Sequence, residues 1–137
     1  SLTSLTDMIR WNFFSAYNVA RMVFQHMLEQ SYGRIAFISS KQGIQPSIGS
    51  KTVGYTIGKS MLLSYAEILN SAANGRNITT SVIVPSTIDT SSNRKAMPDA
   101  NTDNWVTTQQ IAEILEMVLS PVGNPLRETV LKVYNNS

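Results

Sequence analysis

Two short, continuous strand-like runs, each next to a helix-length amphipathic stretch, constrain the fold of this chain most strongly. The runs are residues 34–39 (RIAFIS) and 77–84 (NITTSVIV), which are apolar or β-branched almost throughout and so predict buried strands. Residues 6–30 and 53–73 repeat apolar side chains at spacings of three and four, which predicts helices. Strands joined by helices of this length pair in parallel through right-handed crossovers, so the pattern predicts an α/β sheet covered by helices.

Capping residues set the expected ends of the two long helices. Thr6 or Asp7 is available to cap the first helix, and Gly33 is expected to stop it. The Asn74-Gly75 pair offers a left-handed end for the second helix. The two helices should therefore be separate elements, joined by the first strand and its loop.

The rest of the chain predicts two loops, one more helix and a last strand. Residues 40–52 hold two glycines and a proline and should be irregular. Residues 86–104 are polar and turn-rich, which predicts a loop with a short helix that folds over a ligand. We expect a third helix over residues 107–119 and a strand over residues 128–134.

Composition argues against several classes of function. The net charge is +2 and the basic residues are scattered, so the sequence predicts neither a nucleic-acid surface nor an anionic-lipid surface. No stretch reaches the roughly 18 apolar residues of a membrane span, and no cysteine is present to form a disulfide, a thiolate site or a nucleophile. The single histidine, His26, is interpreted as a surface or packing residue. We expect a cytoplasmic protein with no metal, nucleic-acid or membrane partner.

Tyr55 and Lys59 form the clearest chemical pattern. Four residues apart on a predicted helix, they share one face, so the ammonium can lie beside the phenol. A neighbouring cation favours the phenolate form of a tyrosine and brings its proton transfer towards neutral pH. Ser40 follows the first predicted strand, at the sheet edge where open α/β folds bind ligands. These residues predict a proton-transfer site, although the tyrosine and lysine alone also fit an ordinary exposed helix face.

Three segments, in their order and spacing, resemble the short-chain dehydrogenase/reductase family. They are residues 33–40 (GRIAFISS), the Tyr-x-x-x-Lys pattern at 55–59 and the strand end at 85–90 (PSTIDT). The resemblance covers almost the whole chain. It implies an α/β fold that is the C-terminal portion of a Rossmann-like doubly wound parallel sheet with flanking helices. Residues 1–137 would then be a single partial domain that lacks the N-terminal βαβ cofactor half.

The resemblance implies a role for each of seven residues. Asn12 matches a helix asparagine that holds a water in the proton relay, and Ser40 matches the residue that hydrogen-bonds the substrate oxygen. Tyr55 matches the general acid/base, and Lys59 matches the lysine that favours the phenolate and grips the nicotinamide ribose. The segment that lines the nicotinamide and its phosphates is matched by Pro85, Ile88 and Thr90. An ordinary helix residue at position 12 and a cap or turn residue at position 90 are the alternatives.

Two departures from the family pattern concern the same site. The family glycine after the proline is Ser86 here, which leaves the backbone less freedom. The loop between Ser40 and Tyr55 is two residues longer than the family's commonest spacing. Ser39 is therefore an alternative to Ser40 as the serine that faces the substrate, and we favour Ser40.

Residues 87–100, followed by Trp105, resemble dihydropteridine reductase-like members of the same family. The substrate of dihydropteridine reductase does not carry over, because that enzyme lacks the catalytic serine that Ser40 would supply here. Four residues are candidates for a substrate loop, with hinge or lid packing as the alternative role: Arg94, Lys95, Met97 and Trp105.

The resemblance implies an NAD(P)-dependent oxidoreductase that transfers hydride between nicotinamide and a carbonyl or imine substrate. The alternative is a non-catalytic binding or oligomerisation module derived from the same fold. None of the seven glycines forms the turn that seats a pyrophosphate, so the preference for NAD or NADP cannot be read and the chain alone is expected to be inactive. The resemblance also places residues 6–30 and 53–73 at the interface of a homodimer or homotetramer.

Overall fold

A three-stranded parallel sheet forms the centre of the fold. The computed structural model describes all residues from 1 to 137. Strand β1 (Tyr32–Ile38) pairs with β2 (Asn77–Pro85), and β2 pairs with β5 (Val130–Val133), so β2 is the central strand. Two shorter strands, β3 (Ile88–Asp89) and β4 (Val106–Thr107), form a separate parallel pair. The predicted parallel α/β sheet is confirmed.

Helices cover both faces of the sheet. The longer helical segments are α1 (Leu2–Ile9), a π-helical turn (Arg10–Phe14), α2 (Ser15–Gln30), α4 (Val53–Ala72) and α6 (Thr108–Leu119). The shorter ones are α3 (Lys41–Ile44), α5 (Ser91–Ala96) and the 3₁₀ turns Pro46–Gly49 and Pro121–Gly123. No helix of the chain, long or short, combines the length and the hydropathy that crossing a lipid bilayer requires.

The core lies on the two faces of β2. On one face, α2 and α4 pack against the sheet through buried side chains that include Phe24 and Leu62. On the other face, Ile111 and Val118 of α6 join the buried cluster around Ile83. Eight of the nine residues of β2 are buried, as expected for a strand that has a neighbour on each side and helices above and below.

The first helix begins earlier than predicted, and it ends at the predicted residue through a different stop signal. Ser1 caps it by accepting a hydrogen bond from the Ser4 N–H at 3.1 Å, so Thr6 and Asp7 lie inside the helix. It ends at Gln30, where Ser31 takes a left-handed conformation, and Gly33 belongs to β1. The reason for a glycine at position 33 is space, because a Cβ there would overlap the Met27 side chain. The predicted end of the second helix is confirmed, with left-handed backbone at residues 74 and 75.

The long first helix is interrupted by one wide turn. Over Arg10–Phe14 the hydrogen bonds are π-helical, and the Ser15 N–H donates to the Arg10 carbonyl five residues back. The Ser15 hydroxyl donates to the Trp11 carbonyl at 2.7 Å. The sequence predicts one uninterrupted helix here, since apolar spacing does not separate an α-turn from a single π-turn.

The loop between β1 and α4 is more regular than the sequence predicts. Residues 40–52 contain α3 and the 3₁₀ turn Pro46–Gly49 where irregular chain is expected. Gly49 in that turn lies directly against the Thr56 hydroxyl, which leaves no room for a side chain. Contact with α4, which sequence periodicity does not reveal, therefore shapes this loop.

Candidate active site

A pocket of about 460 Å³ opens at the carboxyl ends of β1 and β2. Ser39 and Ser40 follow β1 on one side of it, and Ser86 and Thr87 follow β2 on the other. This is the edge at which open parallel sheets bind ligands. Five of the seven residues singled out from the sequence line this pocket: Ser40, Tyr55, Lys59, Pro85 and Ile88.

Tyr55 and Lys59 lie in the first two turns of α4 and face the pocket together. The Lys59 Nζ is 5.8 Å from the centroid of the Tyr55 ring. The same Nζ donates a hydrogen bond to the Ile38 carbonyl at 2.8 Å, which anchors the ammonium to the last residue of β1. Burial lowers the pKa of the Lys59 ammonium below its ordinary value. A cation is thereby held close to the phenol, as the four-residue spacing predicts.

The two adjacent serines have different environments. Ser39 is only 2% exposed, and its hydroxyl donates to the Lys59 carbonyl at 2.8 Å, so it joins β1 to α4. Ser40 is half-buried, and its Oγ accepts a long hydrogen bond of 3.3 Å from the Gln42 N–H at the start of α3. The Ser40 hydroxyl donates to no protein atom. Its proton is therefore free to bind an acceptor in the pocket, whereas the Ser39 proton is already used.

Ser86 fits the position at which the family pattern has a glycine. Its N–H donates to the Val133 carbonyl at 3.1 Å, which continues the pairing of β2 with β5 by one residue. Its hydroxyl donates to the Tyr134 carbonyl at 3.3 Å and accepts from the Ser137 hydroxyl at 2.6 Å. The added side chain therefore ties the end of the chain to the wall of the pocket.

Asn12 and Thr90 do not line the pocket. The Asn12 side-chain amide donates to the Met8 carbonyl at 2.9 Å, inside its own helix. The Cβ of Asn12 lies so close to Gly58 that a Cβ at position 58 would be 2.9 Å from it. Thr90 caps α5 by accepting from the Asn93 N–H at 3.1 Å. Both residues contact the elements around the pocket and not its interior.

Only one of the four candidate substrate-loop residues reaches the pocket. Met97 lines it, as does Asn93, which the sequence did not single out. Arg94 is engaged in an ion pair with Asp89 at 2.6 Å, and Trp105 is buried. Lys95 is exposed on α5. The structure thus leaves Met97 as the candidate from this stretch that can touch a ligand.

The pocket has a positive and donor-rich lining. Lys41 and Lys59 are its charged residues, and no aspartate or glutamate is among the residues that line it. The Lys41 Nζ lies 4.9 Å above the Tyr134 ring and donates to the Ser137 backbone oxygen at 3.2 Å. Sequence reasoning missed Lys41 and Gln42, and their position directly after Ser40 is the signal that could have found them. The arrangement suits a ligand rich in oxygen acceptors.

Solved structures share this fold over nearly the whole chain. A candidate NAD(P)-dependent gluconate 5-dehydrogenase from Beutenbergia cavernae, solved with NADP at low occupancy, matches with a TM-score of 0.88 and 20% identity. The match covers 99% of this chain and 58% of that one. The acetoin dehydrogenase YohF from Salmonella typhimurium matches with a TM-score of 0.82 and 19% identity, over 98% of this chain and 56% of that one. The chain therefore spans little more than half the length of these structures.

Sequence comparison gives the family. The chain is 32% identical over 74 residues to the uncharacterized oxidoreductase YvaG of Bacillus subtilis, a match that covers 54% of this chain and 27% of that protein. The sequence model of the short chain dehydrogenase family matches residues 1–101. That range contains β1, α4 and β2, together with the seven residues to which the resemblance gave a role in the site. The chain belongs to the short chain dehydrogenase family, which is a family of oxidoreductases.

Proposed function

We propose that this chain carries the proton-transfer half of an NAD(P)-dependent reductase for carbonyl or imine compounds, with Tyr55 as the general acid/base. The observation that carries the proposal is the meeting of Tyr55, Lys59 and Ser40 in one pocket at the carboxyl edge of the sheet. A phenol, a cation and a free hydroxyl donor in one cavity are the groups that proton transfer to a substrate oxygen or nitrogen needs. Membership of an oxidoreductase family supports the same reaction class.

The residues present fit the nicotinamide end of a dinucleotide. The pocket combines an apolar wall, which includes Pro85 and Ile88, with the Lys59 ammonium, and no aspartate or glutamate side chain lines it to repel a phosphate. Tyr55, Lys59, Pro85 and Ile88 would hold that end, and a solved structure of the same fold contains NADP. The bound dinucleotide would supply or accept the hydride. The glycines of this chain do not provide a pyrophosphate turn, so the phosphate cradle is not part of the proposal.

Each of the four candidate catalytic residues has a separate task in the proposed reaction. The Ser40 hydroxyl donates a hydrogen bond to the substrate oxygen and so orients the substrate. Tyr55 gives a proton to the reacting oxygen or nitrogen during reduction and takes it back during oxidation. Lys59 keeps a positive charge close to the phenol, which favours the phenolate that remains after the proton has left. Asn12 acts as a positioning residue, because it packs against α4 at Gly58, one residue before Lys59.

Two apolar helix surfaces support a homo-oligomer as part of the proposal. On α2, Val19 and Met22 are more than 60% exposed, and on α4 Ile68 is 62% exposed. Exposed apolar side chains grouped on neighbouring helices are typical of surfaces that bind another protein. A homodimer or homotetramer formed through these helices would bury them.

Substitution of Tyr55 tests the proposed role. In the intact protein, expressed from its complete reading frame, Tyr55→Phe should lower turnover of carbonyl substrates about 100- to 10,000-fold, as loss of a general acid does. Affinity for NADH and NADPH, measured by isothermal titration, should change little, because Lys59, Pro85 and Ile88 would still hold the nicotinamide end. Tyr32→Phe is the matched control, since Tyr32 lies at the opposite end of β1. Turnover of Tyr55→Phe equal to that of Tyr32→Phe would refute the role.

A second measurement concerns the isolated segment. Residues 1–137 alone are expected to bind NAD(P) weakly and to show no turnover, because they contribute no Gly-rich turn for the pyrophosphate. Isothermal titration against both dinucleotides checks this. Micromolar binding accompanied by turnover would contradict it.

A further inference from the structure

Gln42 is a wall residue of the pocket whose carboxamide is held in one orientation. The Thr52 hydroxyl donates to the Gln42 Oε1 at 2.7 Å, and the Thr56 hydroxyl donates to the same oxygen at 2.9 Å. Thr52 immediately precedes α4, and Thr56 follows Tyr55 in the chain. Both acceptor positions of the carboxamide oxygen are thereby used for contacts with the helix that carries the catalytic pair.

The distances decide which way the carboxamide points. Each threonine hydroxyl has one proton, and its other acceptor within reach is the Gly49 carbonyl, at 3.5 Å from Thr52 and 3.4 Å from Thr56. The shorter contacts to Gln42 are the better hydrogen bonds, so both protons go to the Gln42 oxygen. The Nε2 group must then point away from the threonines. Its two N–H donors have no partner in the protein, and Gln42 lines the pocket.

We propose that Gln42 is a specificity-determining residue, whose Nε2 donates a hydrogen bond to a second oxygen of the substrate, near the reacting carbon. The inference rests on the proposed function of this pocket. The substrate class is then a carbonyl compound with an adjacent hydroxyl, carbonyl or carboxylate oxygen. A neutral ketone or imine without that oxygen would leave the two N–H groups unpaired, which is the discrimination that polar sites perform best.

Two features of the site support this assignment. Gln42 lies in α3, two residues after Ser40, which caps that short helix, so the donor that orients the reacting oxygen and the donor for the second oxygen belong to one segment. No aspartate or glutamate side chain lines the pocket to compete for the N–H groups or repel an oxygen-rich substrate. The two threonine contacts also fix the side chain before a substrate arrives, so little rotamer entropy is lost on binding.

Gln42 also joins α3 to α4 through the two threonine contacts to its Oε1. The test therefore needs variants that separate the Nε2 donor from these contacts. Gln42→Glu keeps carboxylate oxygens for both threonine hydroxyls and removes the N–H donors. Gln42→Met keeps the length of the side chain and removes both functions. Gln45→Glu is the matched control, because Gln45 is exposed at the end of α3, outside the pocket, and gains the same charge.

The substrate pair for the assay is hydroxyacetone and acetone, used with the intact protein and its preferred dinucleotide. The ratio of kcat/KM for hydroxyacetone to that for acetone should fall by about 3- to 10-fold in Gln42→Glu, the effect of losing one hydrogen bond. It should be unchanged in Gln45→Glu. The thermal unfolding midpoint should be retained in Gln42→Glu and lowered by roughly 3–6 °C in Gln42→Met. A ratio in Gln42→Glu within twofold of that of the unaltered protein would overturn the proposal.

A binding measurement keeps this inference distinguishable from the proposed function. The side-chain amide signals of Gln42 in a ¹H–¹⁵N spectrum, assigned by their loss in Gln42→Glu, should shift on titration with hydroxyacetone and not with acetone. The titration is repeated on Tyr55→Phe, where no turnover is required. Shifted signals support the role of Gln42 whatever the outcome for Tyr55. Unshifted signals overturn it, even if Tyr55→Phe abolishes turnover as proposed.

Discussion

Replacement of Gly58 by alanine tests how closely the two long helices approach beside the candidate active site. A Cβ at position 58 would lie 2.9 Å from the Asn12 Cβ and 3.4 Å from the Met8 carbonyl oxygen. Carbon atoms in contact prefer about 3.5–4.0 Å, so the helices would have to separate by roughly 0.6–1.1 Å. The obstacle is a Cβ, which cannot rotate away as the end of a long side chain can.

Two opposing contributions determine whether Gly58→Ala raises or lowers the free energy of unfolding. Alanine is favoured over glycine inside a helix by about 1 kcal/mol. Inserting a methyl group into a packed contact costs about 1–3 kcal/mol. The free energy of unfolding of Gly58→Ala should therefore be lower than that of the unaltered protein, by up to about 2 kcal/mol.

Urea unfolding of the intact protein, followed by far-ultraviolet circular dichroism, measures this difference. Ser64 provides the baseline for helix propensity, because it is exposed on the same helix and forms no side-chain hydrogen bond. Comparison of Ser64→Ala with Ser64→Gly gives the alanine preference without a steric contribution. If Gly58→Ala is more stable than the unaltered protein by the difference measured at position 64, the close approach of Asn12 to α4 is wrong.

The other predictions concern the adjacent serines and the buried lysine. Ser39→Ala should lower the free energy of unfolding by about 1 kcal/mol through loss of the hydrogen bond to the Lys59 carbonyl. Ser40→Ala should lower turnover and leave urea unfolding almost unchanged. The opposite result for the two variants would mean that the two serines have exchanged roles. Because burial holds the folded-state pKa of Lys59 below its unfolded value, the unfolded chain binds more protons between those two values, and stability should rise with pH through that window. Urea unfolding from neutral pH to pH 10.5 should show this rise in the unaltered protein relative to Lys59→Met, and parallel curves would contradict it.

Periodicity and spacing predict the parts of this fold that depend on local sequence. The strand at 77–84 and the helix at 53–73 differ from β2 and α4 by one residue at one end. Their β-branched and apolar patterns match the burial that each element needs. The meeting of Tyr55 with Lys59 also follows from spacing alone, because residues four apart on a helix share a face.

Contacts between distant residues explain what the sequence does not predict. Gly33 looks like a helix stop, but its lack of a side chain makes room for Met27. The regular structure within residues 40–52 depends on Gly49 packing against Thr56, and the orientation of Gln42 depends on hydroxyls 10 and 14 residues away. None of these distances is visible in a repeat of apolar residues. The sequence therefore predicts only part of the site, because the rest depends on how α3 packs against α4.

The π-helical turn at Arg10–Phe14 is a point at which the first helix can gain or lose one residue. A wide turn of this kind accommodates one residue more than an α-turn over the same stretch of axis. Removal of one residue there would leave α1 free to pack on Gly54 through Met8, and α2 free to pack on the sheet through Phe24. What would change is the backbone on either side of Asn12, opposite the helix that carries Tyr55 and Lys59. An insertion or deletion at this point would therefore change how Asn12 packs against Gly58 of α4 while the architecture around it stays the same.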